Sequence, residues 1–401
     1  MNRFDGELEE ALQGLQAAGL YRELRPVDSA QAARITVGGR ELLNFSSNDY
    51  LGLANEPVLK EAAIRAVATY GAGSGASRLI CGSLRPHHDL EDALAAFKGT
   101  EAALSFSSGY AAALGAITAL AGRDDYVVID RLVHACIVEA ARHCGAKLRV
   151  FPHNDPAGLD SILRWIDGRK PAALPGAPRP RTLIITESVF SMDGDLAPLR
   201  KIVDLKDQYG ACLMVDEAHA TGLFGANRRG LAESLGVGDR IEVQMGTLGK
   251  ALGAAGGYLC GSRRLVDFLL NRARTFIFST APVPAAVAAA AAGVGLVRSA
   301  AGAARLGALH ARIAELPSPP RPAGGPAAAI FPIIIGDETA AVATSAALRE
   351  GGVFIPAVRF PTVARGSARL RLTLTASHTS DDLARLAAAL RTLSHGLPGP
   401  A

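Results

Sequence analysis

Five short apolar runs recur between residues 126 and 247, separated by longer stretches of helical pattern: YVVID (126–130), KLRVF (147–151), RTLIITES (181–188), CLMVDEA (212–218) and IEVQMGT (241–247). Runs of this length and composition read as strands. Strands that alternate with helices are joined by crossovers, and the outcome is an α/β fold with a mostly parallel central sheet covered by helices. With 49% apolar residues in 401, the chain can bury a large core and form two or three structural units. No internal repeat at a fixed period interrupts this rhythm.

Two proline-rich stretches do interrupt it. KPAALPGAPRPR (170–181) reads as a surface loop between helix and strand, and LPSPPRPAGGPAA (316–328) as the boundary of a smaller C-terminal unit. The expected organisation is an N-terminal arm over residues 1–55, a large domain over 56–315 and a small C-terminal α/β domain over 316–401. The start, MNRFDGELEEALQ, is charged and lacks a secretory apolar core, which points to the cytoplasm. The alanine-rich stretch 281–297 contains Pro282 and Pro284 and reads as a packed helix with a proline-marked start, so no membrane span is expected. Five scattered cysteines without a CxxC pair read as reduced, mostly buried thiols. A net charge of +4, with no basic run, gives no nucleic-acid footprint.

Open sheets of this kind bind ligands beyond the carboxyl ends of their strands, so the residues just after each run carry the functional argument. They are His134, Ser188 and Ser191, Asp216 and His219, and Thr247 and Lys250. Lys250 lies in GTLGKALGAAGG (246–257), which resembles a phosphate-gripping loop but is not one: Ala251 follows the Gly-Lys pair, and Gln244 stands where the first glycine belongs. The chain has seven lysines; Lys60, Lys98, Lys201 and Lys206 lie in mixed polar helical stretches and read as solvated. Lys250 is enclosed by glycine, alanine and leucine, without a carboxylate nearby in sequence.

Desolvation disfavours an ammonium and turns a lysine into a nucleophile toward carbonyls, so Lys250 points to Schiff-base chemistry with a substrate or with pyridoxal phosphate. Pyridoxal chemistry requires an acid beside the pyridine nitrogen, and Asp216 at a neighbouring strand end suits that role as well as a helix cap or an ion pair. His219 could bond the ring hydroxyl and His134 could lie over the ring. A phosphate requires a helix N-terminus with free amides; Ser107, Ser108 and Gly109 before a clean helical run offer one.

The ordered motifs NFSSNDYLGLA (44–54), GAGSGASRLICG (71–82), HHDLE (87–91), FSSGYAA (106–112), DRLVHA (130–135), ESVFSMDGD (187–195), VDEAHATGLFG (215–225), GTLGKALG (246–253), FSTAP (278–282) and ARLRLTLTASHT (368–379) resemble those of the α-oxoamine synthases, pyridoxal-phosphate enzymes of the aspartate-aminotransferase fold type I. The resemblance implies that Lys250 carries the cofactor and removes the α-proton of the amino acid, that Asp216 pairs with the ring nitrogen, and that His134 stacks on the ring. It places His219 and Ser191 around the ring hydroxyl, and Ser108, Gly109, Tyr110 and Thr247 at the phosphate. Ser279 and Thr280 would reach the phosphate of a neighbouring subunit, which implies a homodimer with shared active sites. Arg371 matches the arginine that holds the substrate carboxylate; Arg22, Asn48 and Thr362 match other substrate-side positions.

The resemblance is nearest to the branch that condenses L-alanine with a pimeloyl thioester, on coenzyme A or acyl carrier protein, during biotin synthesis. Glycine C-acetyltransferase is the alternative and lacks an arginine matching Arg359, so Arg359 or Arg22 is expected to recognise an anionic acyl group. The family's PPTVP reads FPTVA here, with Phe360 and Ala364 in place of two prolines, a change that bears on acyl preference. A silent pyridoxal-binding regulator would need an attached DNA-binding unit, and neither end supplies a basic helix-turn-helix segment. A Rossmann dehydrogenase is excluded because no GxGxxG follows a strand.

Overall fold

The computed structural model describes residues 2–169, 180–316 and 328–394. Most of each proline-rich stretch, 170–181 and 316–328, lies outside the described residues. In chain order the strands are β1 (Arg34–Val37), β2 (Arg40–Asn44), β3 (Ala102–Phe106), β4 (Tyr126–Asp130), β5 (Lys147–Phe151), β6 (Thr182–Glu187), β7 (Cys212–Asp216), β8 (Val243–Thr247), β9 (Gly257–Gly261), β10 (Ile330–Gly336), β11 (Val353–Phe354), β12 (Ala357–Val358) and β13 (Ala368–Thr373). The chain divides into two compact units: residues 53–191 with 195–306, and residues 1–52 with 192–194 and 307–401.

The first unit is built on a seven-stranded sheet in the order β3-β9-β8-β7-β6-β4-β5. The five strands from β5 to β8 run parallel, and β9 is antiparallel to both β8 and β3. Every residue of β4 and β6 is buried, so their side chains face protein on both sides of the sheet. Parallel alignment has one consequence for function. The carboxyl ends of β4, β6, β7 and β8 come out on one edge of the sheet, with Glu187 and Asp216 as register partners on adjacent strands and Asp216 paired in turn with Met245. On that edge the helix Gly109–Leu120 begins, capped by Ser108, whose Oγ accepts the N–H of Ala111 at 3.1 Å.

Two lysines read as solvated are buried in this unit. Lys98 ends the helix Arg85–Lys98 and donates to Glu217 Oε2 at 2.6 Å and to the carbonyl of Arg229. Burial works against its charge, but the Glu217 carboxylate outweighs it and holds the pKa up. Lys206 bonds Glu242 at 2.7 Å. Helical periodicity shows which residues share a face, but the partner of a buried charge comes from a distant segment. The alanine-rich helix starts at Pro284, in its first turn, and ends at Arg298. No single described helix is long and apolar enough to cross a membrane. All five cysteines are free; Cys136 and Cys260 are buried, whereas Cys81 is exposed.

The second unit holds an antiparallel sheet, β10-β13-β12, and a three-stranded sheet in which β2 pairs with β1 antiparallel and with β11 parallel. Its N-terminal helix, Arg3–Ala17, buries none of its residues.

Candidate active site

The glycine-rich run is a turn that presents a lysine. Thr247, the last residue of β8, donates its hydroxyl to the carbonyl of Gly256 at 2.9 Å and accepts the N–H of Gly249 at 3.2 Å. The N–H of Leu248 reaches the same carbonyl, and the N–H of Gly253 reaches the carbonyl of Lys250, each at 2.9 Å. Loop 247–256 is therefore closed on itself. Gly256 sits at φ +124°, and a Cβ on Gly257 would come within 2.4 Å of the Ser108 carbonyl oxygen; only glycine lets the loop return this close to the helix start. Lys250 is half-buried, and its Nζ lies 2.8 Å from His219 Nε2.

Beside this amine the sheet edge supplies two buried carboxyl groups. Asp216 Oδ1 accepts the N–H of Ala218 at 2.8 Å, and the Asp216 carbonyl accepts the N–H of Ser188 at 2.9 Å. Burial raises the pKa of Asp216, while Lys250, the Ala218 N–H and His134 draw it back. Glu187, its neighbour in register, is raised well above the carboxylate range by burial and then by the charge of Asp216. Glu187 Oε2 accepts the N–H of Ser191 at 3.2 Å, whereas its buried Oε1 has no hydrogen-bond partner among the described residues. The motif ESVFSMDGD contains Glu187, but a carboxylate at the end of an apolar run gives no sign of burial beside a second carboxylate.

His134 caps the helix Ala135–His143, its Nδ1 accepting the N–H of Cys136 at 3.2 Å. The ring is reached by solvent yet crowded by protein; that crowding lowers its pKa, Asp216 opposes the shift and Lys250 adds to it. With Nδ1 an acceptor, the ring is neutral and its proton sits on Nε2. Gly109 stands against Thr247, to whose Cβ an added Cβ would come within 3.7 Å. The first-turn amides of Gly109 and Tyr110 lie outside the helical ladder. Thus Ser108, Gly109, Tyr110, His134, Ser191, Asp216, His219, Thr247 and Lys250 share one edge of one sheet. Ser279 is half-buried, and exposed Thr280 forms a bridge with Ser77.

The remaining candidates belong to the second unit. Arg371 is buried on β13, the central strand of its sheet, and is not the surface arginine that its arginine-rich surroundings suggest; its Nη1 donates to Asn48 Oδ1 at 3.0 Å and its Nη2 to Tyr50 Oη at 3.3 Å. Arg22 Nη2 donates to the carbonyl of Phe360 at 2.7 Å, and Arg359 donates to the carbonyls of Gly19 and Tyr21. The two arginines thereby clasp residues 19–22 to residues 359–360. Thr362 closes the turn after Arg359 through its N–H.

The pattern of the family described as aminotransferase class I and II matches residues 40–390. The chain is 47% identical over 385 residues to the 8-amino-7-oxononanoate synthase of Geotalea daltonii, covering 95% of this chain and 96% of that one. The chain belongs to the 8-amino-7-oxononanoate synthase family. A solved 8-amino-7-oxononanoate synthase from Francisella tularensis superposes with a TM-score of 0.69 at 25% identity, covering 88% of this chain and 98% of that one. A serine palmitoyltransferase variant from S. paucimobilis, solved with a bound PLP–myriocin aldimine, superposes with a TM-score of 0.86 at 29% identity over 98% of each chain.

Pyridoxal phosphate is the cofactor of the synthase family, and the residues of this chain fit it. The helix start at Gly109 offers backbone amides and a dipole to a phosphate beside Thr247. The buried Asp216 carboxyl calls for a cation, which a protonated ring nitrogen would supply. The buried Oε1 of Glu187, without a hydrogen-bond partner among the described residues, lies on the same edge, and Lys250 supplies the amine. No group of His, Cys, Asp and Glu among the described residues could hold a metal ion.

Proposed function

We propose that this chain condenses L-alanine with a pimeloyl thioester, carried on coenzyme A or acyl carrier protein, to give 8-amino-7-oxononanoate, carbon dioxide and free thiol. The observation that carries the reading is the amine of Lys250, 2.8 Å from His219 Nε2, on the sheet edge that also holds buried Asp216. The likeness to curated synthases supports the choice of substrates. When bound, pyridoxal phosphate supplies an electron sink for the carbanion formed at Cα of the amino acid.

The side chains divide the remaining work. Lys250 Nζ holds the cofactor aldehyde and, once the amino acid has taken its place, receives the α-proton. Asp216 keeps the ring nitrogen protonated, and neutral His134 covers the ring face. Ser191 and His219 orient the ring hydroxyl. Ser108, Gly109, Tyr110 and Thr247 hold the phosphate, so binding energy fixes the ring before any bond changes. Arg371 binds the alanine carboxylate with its planar fork, and Asn48 keeps that fork in one orientation. Arg22, Arg359 and Thr362 serve the acyl side.

The chain acts as a homodimer. Ile80 is 79% and Phe278 70% exposed, and the Ser77–Thr280 bridge places these apolar side chains beside Ser279 and Thr280. A second copy covering this strip would bring Ser279 and Thr280 to its phosphate.

Purified protein given L-alanine with pimeloyl-CoA, and separately with pimeloyl acyl carrier protein, is expected to yield the amino-oxononanoate mass. Turnover of glycine with acetyl-CoA, and none with either pimeloyl thioester, would overturn the substrate assignment.

A further inference from the structure

His153 ties together two segments that carry candidate cofactor contacts. Its Nδ1 lies 3.0 Å from Asp130 Oδ1 and its Nε2 lies 2.7 Å from Asp195 Oδ2. A carboxylate only accepts, so both ring nitrogens donate and the ring is an imidazolium. Burial opposes that charge, but the two carboxylates outweigh it and hold the pKa up to about 10.

Each carboxylate is anchored in a different segment. Asp130, fully buried at the end of β4, accepts the N–H of Leu132 at 2.8 Å with Oδ1 and that of Asn154 at 2.8 Å with Oδ2; His134 follows in the same turn. Asp195 lies on the return from Ser191, where its carbonyl accepts the N–H of Phe190 at 3.0 Å and Val189 bridges to Leu196. Asn154 adopts φ 52°, a left-handed conformation that asparagine tolerates, and its amide donates to Asp195 Oδ2 at 2.7 Å and to the carbonyl of Leu196 at 3.2 Å. The Phe190 ring stands edge-on to the imidazole, with centroids 4.3 Å apart.

We propose that His153, held as a cation between Asp130 and Asp195, is a positioning residue that fixes the spacing between the His134 turn and the Ser191 segment and so sets how tightly the pyridoxal ring is gripped. The proposal rests on the assignment of His134 and Ser191 to the cofactor. Removing the charge would leave the two carboxylates without a cation between them, joined only through the neutral donors of Asn154, and the segments would separate.

The test uses the full chain and measures the Kd for pyridoxal phosphate, the kcat and KM for L-alanine, and the melting of the cofactor-free protein. His153→Phe keeps a ring beside Phe190 but drops the charge; it is expected to weaken cofactor binding by about tenfold or more and to lower kcat by a similar factor, with KM within about threefold. A folded His153→Phe protein with wild-type cofactor affinity overturns the proposal, even if it melts earlier, because a purely structural histidine would do only that. If His153→Phe does not fold, Asp195→Asn removes one link at constant size and is expected to weaken the cofactor by about threefold or more; unchanged affinity overturns the proposal. NMR of the imidazole should show His153 still protonated at about pH 8, and titration near the ordinary histidine value would overturn its cationic state. His134→Ala run in parallel separates the two readings: if it weakens the cofactor and His153→Phe does not, the clamp fails alone, and if neither does, the assignment of His134 fails with it.

Discussion

Glu187 and Asp216 are register partners on adjacent parallel strands, both buried, at the edge where Lys250 projects. Two carboxylates so placed cannot both ionise freely, and their environments differ. The Lys250 charge is the first influence opposing burial at Asp216, whereas at Glu187 the charge of Asp216 adds to burial. Of the two, Asp216 is the better placed to carry charge, and Glu187 is pushed further toward its neutral form.

Glu187→Gln tests this directly. A carboxyl group whose pKa is raised on folding contributes stability that declines as pH rises above its unfolded value of about 4.3. The amide does not titrate, so the variant should melt above the wild type by a margin that grows from about pH 4 upward, and scanning fluorimetry of the cofactor-free protein measures it. Equal margins at all pH values would mean that Glu187 is ionised in the folded chain.

Lys250→Ala should abolish covalent attachment of the cofactor and lower turnover by about a thousandfold or more. Borohydride treatment followed by peptide mass analysis is expected to find the reduced cofactor on Lys250 in the wild type and nowhere in the variant.

His153 predicts a second pH effect, of opposite sign to that of an ordinary paired carboxylate. Its pKa rises on folding from 6.5 to about 10, so its contribution is complete below pH 6.5 and is lost as pH climbs through 10. Melting of the wild type should fall across that window more steeply than melting of His153→Phe.

Lys98→Met leaves the Glu217 carboxylate buried without its cation and should cost about 3–5 kcal/mol, read from urea unfolding. Glu217 follows Asp216 in sequence, so the same variant should also weaken the cofactor. A loss below about 1 kcal/mol would place Lys98 among the surface lysines after all.

Arg371→Lys keeps the charge but loses the planar fork. The KM for L-alanine is expected to rise by about tenfold with the cofactor Kd unchanged. A changed cofactor Kd would move Arg371 from the substrate to the scaffold.

The residues that the sequence exposes most clearly are those whose role follows from local chemistry. Five apolar runs announced β4 to β8, and the residues after them gave His134, Ser191, Asp216, His219, Thr247 and Lys250, because in parallel strands the end of each run lies on the same edge. β3 and β9 were not visible: AALSF has weak strand preference and GYLCG is bounded by glycine at both ends, so each is held as a strand by pairing with its neighbours. The sequence by itself determined the fold class and the family and singled out Lys250 as the candidate amine, since each is written in periodicity or in residue type at fixed order. Tertiary structure alone decided that Lys98 is buried against Glu217, that Glu187 lies in register with Asp216, and that His153 stands between Asp130 and Asp195. Charge state depends on distance and burial, and both are set by segments far apart in the chain.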